Sequence, residues 1–126
     1  MADISCLHHQ EGVRLDPVRL VALYAELGEA RAEVVIGRAM EELAAKLLAL
    51  QRVASAQARA PVIAGADQLC ALAAQVGMTS LVDVGHDVAA CAQAGDAAAL
   101  AATLARLVRI GDRSLTAVWD LQDMSL

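Results

Sequence analysis

At 126 residues the chain is long enough to bury a core of its own as one domain, without disulfides or a structural metal. Its composition is 58% hydrophobic but only 2% aromatic, and alanine makes up most of that excess, which favours helix and argues against a β-rich fold. The net charge is -5, and the nine arginines and Lys46 are scattered, so there is no basic-aromatic surface for nucleic acid.

Residues 1–14 lack helical periodicity and read as a flexible N-terminal arm ahead of a domain covering 15–126. Asp16 followed by Pro17 is a helix start, and Gly28 is the matching stop. A second helix is expected from Glu29 to Val53. Its Ile36, Met40, Leu43, Leu47 and Leu50 recur every three or four residues, and Arg31, Arg38, Glu42 and Lys46 occupy the other face. The periodicity weakens over 55–59, and Pro61 restarts a helix over 60–76 with Val62, Leu69, Leu72 and Val76 inward. Gly77 breaks it. A fourth helix then begins at Met78 or Thr79, carries Leu81, Val84, Val88 and Cys91, and stops at Gly95. Asp96 caps a last helix over 97–119 with Leu100, Leu104, Leu107, Leu115 and Val118 on its core stripe. Short connections make successive helices antiparallel, so the expected fold is all-α: an up-down four-helix bundle with a short extra N-terminal helix. Gly37, Gly65, Gly85 and Gly111 fall inside helices, where each costs about 1 kcal/mol relative to alanine. Close helix approach is the expected compensation, with a kink at Gly111 as the other option.

No apolar run reaches the roughly 20 residues that span a bilayer, and no basic segment followed by an apolar one suggests export. Three cysteines at scattered positions do not make a disulfide framework. The expected location is cytoplasmic. Cys6, His8 and His9 cluster loosely, but a structural metal site needs four ligands and no second cluster exists, so neither metal nor cofactor is expected. No nucleophile–base set or glycine-rich phosphate loop is present, and Glu41 and Glu42 point apart on one helix. The chain does not read as an enzyme.

The segment Ala66-Asp67-Gln68-Leu69-Cys70-Ala71, followed by Val76-Gly77-Met78, resembles the site of histidine-containing phosphotransfer (HPt) domains of two-component phosphorelays. The family pattern is His, then Leu two residues on, Lys three on, Gly four on and a further Gly ten on. Leu69 and Gly77 fit this pattern. Asp67 stands where the histidine is expected, Cys70 replaces the lysine and Ala71 the small glycine. Upstream, Leu15-Asp16-Pro17 through Glu26-Leu27-Gly28 is similar to the family's short first helix, and Ala94-Gly95-Asp96 to its last turn.

The resemblance implies a scaffold that docks a receiver domain or a histidine kinase after losing the phospho-accepting group. The implied docking face comprises Ile63, Ala64, Asp67, Cys70, Ala71 and Ala74, with Arg38 and Glu42 on the adjoining helix. A carboxylate at Asp67 repels an incoming phosphate and instead mimics the charge of a phosphohistidine. Two alternatives remain at this point: phosphotransfer through His86, and a structural bundle that self-associates as a homodimer. The second rests on Val108, Ile110, Leu115, Trp119 and Leu121, which occupy more sides of the last helix than one core stripe needs.

Overall fold

The computed structural model describes residues 13–55 and 58–124. Most of the expected arm, with Cys6, His8 and His9, lies outside the described residues, as does the centre of the break at 55–59. Among the described residues there are five helices and no strand: α1 (Pro17–Leu27), α2 (Glu29–Ser55), α3 (Arg59–Gln75), α4 (Thr79–Ala94) and α5 (Ala97–Met124). α1 packs on α2, α2 on α3, α3 on α4 and α4 on α5, and a lighter contact joins α2 to α5.

The local signals act as their chemistry requires. The Asp16 carboxylate accepts from the N–H groups of Val18 at 3.0 Å and Arg19 at 3.4 Å, satisfying donors the first turn of α1 leaves free. Gly28 ends α1, and its own carbonyl accepts from Ala32 at 2.9 Å, so a single residue separates α1 from α2. Asp96 caps α5 through Oδ1, 3.0 Å from the N–H of Ala99. α5 continues past the expected end at 119 to Met124, since Asp120, Leu121 and Gln122 contain no breaker.

The core is one cluster. Ile36, Leu43, Leu50, Leu69, Met78, Leu81 and Leu107 are its largest fully buried side chains. Burying each leucine stabilises the fold by about 1.5–3 kcal/mol. The α2 and α4 stripes read from the sequence are largely the buried ones. In α5 the buried residues include Leu107, Ile110, Gly111, Ser114 and Val118, whereas Leu100, Leu104 and Leu115 are only partly buried. Ile110 therefore belongs to the core rather than to a surplus surface. Gly111 does not break the helix. It is buried, and a β-carbon there would stand 2.6 Å from Leu47 Cδ1, so its role is close approach of α5 to α2.

The chain is anchored earlier than its periodicity suggests. Val13 packs against the core cluster, the Arg14 N–H donates to Ser80 Oγ at 2.6 Å, and the Ser80 N–H donates to the Arg14 carbonyl at 3.2 Å. The Asp16 N–H donates to the Gly77 carbonyl at 2.7 Å, and Arg19 Nε to the Gln75 carbonyl at 2.9 Å. Residues 13–19 thus seal the end of the molecule where α3 turns into α4.

Candidate functional site

Along α3, Val62, Ala66, Leu69 and Ala73 are buried at steps of three or four residues. That period turns Ala64, Asp67 and Ala71 to the outside, together with Ala74. The result is an exposed carboxylate in a low-relief patch of methyl groups. Ile63 is half-buried and packs its side chain on the core cluster, leaving only part of it on this face.

Cys70 is not available to a partner. It is 6% exposed, and its thiol donates to the Val82 carbonyl on α4 at 3.4 Å. It fits because residue 85 is glycine: a β-carbon there would stand 2.5 Å from Cys70 Sγ. Burial raises the thiol from its ordinary 9.0 to about 11, helped by the nearby negative charges of Asp67 and then Asp83. At neutral pH it is a protonated, unreactive thiol.

Asp67 and Asp83 are both near enough to the Cys70 thiol to oppose its ionisation. Gln68 meets α2, where its Oε1 accepts from Lys46 Nζ at 3.1 Å. Arg38 and Glu42 are both exposed on α2. Cys70, about one turn along α3 from Asp67, packs against α4, whose Val82 and Asp83 the sequence reading passed over. Gly85 was the available signal, since a small residue marks the face of α4 that α3 approaches. Asp83 is also ion-paired with Arg14, which ties this edge to the sealed end.

His86 is exposed on α4, and no described residue forms a hydrogen bond or ion pair with it. Its neighbour Asp87 turns instead to Arg106 on α5, at 3.8 Å. Nothing orients that imidazole. Of the residues suspected of self-association, Trp119 and Leu121 are exposed, and Leu121 borders a shallow apolar pocket with Val21, Leu20 and Tyr24 of α1.

No family model matches the chain, and neither a curated protein nor a solved structure does. Functional meaning therefore rests on the geometry and on the spacing around Asp67. Among the described residues no group of three or more His, Cys, Asp or Glu side chains could hold a metal ion, and no helix is long and apolar enough to cross a membrane. Chemically, the α3 face offers a fixed negative charge on a flat, alanine-lined surface, suited to contact with a protein.

Proposed function

We propose that the protein is an HPt-like adaptor, with the four long helices arranged as an up-down bundle of that type, which docks a receiver domain or histidine kinase without carrying phosphate. The observation that carries this reading is the outer face of α3, where exposed Asp67 is surrounded by exposed Ala64, Ala71 and Ala74. Small side chains leave room for a partner to approach the helix closely. The Asp67 carboxylate stands where the resemblance puts a phosphohistidine, and meets a partner's cationic groups as a permanent charge. Asp83 extends the acidic edge onto α4, and Cys70 supports the face from beneath. The homodimer reading draws on a different surface, around Trp119 and Leu121, and leaves the α3 face free.

The test combines binding with label transfer. Receiver domains charged with labelled phosphate are titrated with the protein and with its Asp67→Arg variant. The expected result is binding without transfer of label, weakened at least tenfold by Asp67→Arg. Unchanged affinity in the variant would remove the α3 face from the reading. Label arriving on the protein and lost in His86→Ala would replace the adaptor by an active phosphotransfer protein.

A further inference from the structure

The end of the molecule opposite the sealed α3–α4 turn holds an open cavity of about 400 Å³. It lies where the last turns of α2 and α4 meet the first turns of α3 and α5. Its apolar wall comprises Ala54, Val62, Ala92, Leu100 and Leu104, with Cys91 half-buried beside them. This volume is within the range of roughly 300–1,000 Å³ typical of small-molecule sites, and the combination of an apolar wall and few polar groups is also typical.

Two charged side chains stand at this cavity, and their situations differ. Asp96 is committed to the N-terminus of α5, which its carboxylate caps and whose partial positive charge balances it. Arg59 forms no hydrogen bond or ion pair with any described residue. Its guanidinium reaches towards Gly95, where a β-carbon would stand 2.7 Å from Nη2. Arg59 is also the first residue of α3, and Ala58 before it supplies no side-chain cap. The opening N–H groups of α3 therefore lack the acceptor that Asp16 gives α1 and Asp96 gives α5. An exposed arginine without an ion-pair partner among the described residues and a helix start without a side-chain cap thus border an apolar cavity, with the Asp96 carboxylate beside them.

We propose that this cavity binds an apolar monocarboxylate, a medium-chain acyl acid being the chemical class that fits. The chain lies against Val62, Leu100 and Leu104, and the carboxylate pairs with the Arg59 guanidinium, for which a planar oxyanion is the natural partner. The site is independent of the Asp67 face and of its reading.

Sodium octanoate is the probe, with n-octanol as its neutral counterpart, added to the full chain and followed by amide chemical shifts. Saturable shifts are expected at Ala92, Gly95 and Leu104, with octanoate bound at least tenfold more tightly than octanol. Arg59→Gln removes that preference. Ala101→Trp, a substitution at an exposed wall position that does not disturb the core, fills the cavity and abolishes binding. Saturating octanoate slows alkylation of Cys91 by N-ethylmaleimide at least fivefold, read by peptide mass. The proposal is overturned by absence of saturable shifts, by equal affinity for octanol, or by undiminished binding in Ala101→Trp. It is equally overturned if the shifts centre on Val21, Trp119 and Leu121, since that surface would then be the site.

Discussion

The two ends of the helical array are built from similar alanine-rich helices yet finish differently. At the α3–α4 end, Val76, Gly77, Met78 and Ser80 are all buried, because residues 13–19 cross over the turn and hydrogen-bond to it. At the other end Ala54, Ala58, Leu100 and Leu104 remain only partly buried around a cavity of about 400 Å³. No described segment crosses that end. Helix composition alone does not decide whether a bundle end closes. A segment of chain with backbone groups to spare closes one, and among the described residues no such segment covers the small side chains of the other.

The largest effect expected from this difference separates two glycines in the same backbone conformation. Gly77 has φ +72° and Gly95 φ +71°, so alanine at either position carries left-handed strain of about 1–2 kcal/mol. Their surroundings differ. A β-carbon at Gly77 would stand 2.8 Å from the Asp16 carbonyl oxygen, a backbone atom held by the seal, whereas at Gly95 it meets the end of the flexible Arg59 side chain. Gly77→Ala should cost about 3 kcal/mol or more and Gly95→Ala about 1 kcal/mol in urea denaturation. Equal costs would mean that the seal yields as readily as a surface arginine.

Much of this fold was readable in the sequence, for identifiable reasons. Asp16-Pro17, Gly28, Gly77 and Gly95 are local signals that act within one turn, and each helix begins or ends there. The apolar stripe of α2 is read correctly because a long helix averages over many turns. What escaped depends on contacts distant in sequence. The anchoring of Val13 and Arg14 depends on Ser80 and Asp83, and the burial of Cys70 depends on Gly85. At the candidate site, exposure of Asp67, Ala64 and Ala71 follows from the period of α3 alone. Which residues of α4 stand beside α3 is set by the packing of whole helices, so Val82 and Asp83 were not named.

A smaller effect probes the α3–α4 contact on which the closed half of the molecule rests. Gly85→Ala puts a β-carbon 2.5 Å from Cys70 Sγ, and such overpacking costs about 1–3 kcal/mol. Cys70→Ala alone removes the sulfur and opens a small void. Combined, the two substitutions exchange one atom for another across the same gap, so the double variant should be more stable than the sum of the single costs predicts. Additive costs in a denaturation cycle would show that α4 moves away from α3 instead, and that the two helices are held less closely than their small residues allow.

The smallest effect is a pH dependence that comes from the Cys70 thiol of the closed region. The Cys70 thiol is raised from 9.0 to about 11 by burial and by the charges of Asp67 and Asp83. Below 9.0 both folded and unfolded chains hold the proton, so the thiol contributes its full stabilisation. Between 9.0 and about 11 the unfolded chain loses the proton while the folded chain keeps it, and stability falls as pH rises. Other groups also titrate there, so the observable is the difference between the protein and Cys70→Ala in thermal melts from pH 8 to 11. The melting temperature of the unmodified chain should fall more steeply. Replacing Asp67 by Asn should reduce that extra slope, because one of the charges opposing the thiolate is gone. Parallel melting curves for Cys70→Ala and the parent would mean that the thiol beneath the α3 face is hydrated, and that this side of the molecule is as open as the end it was contrasted with.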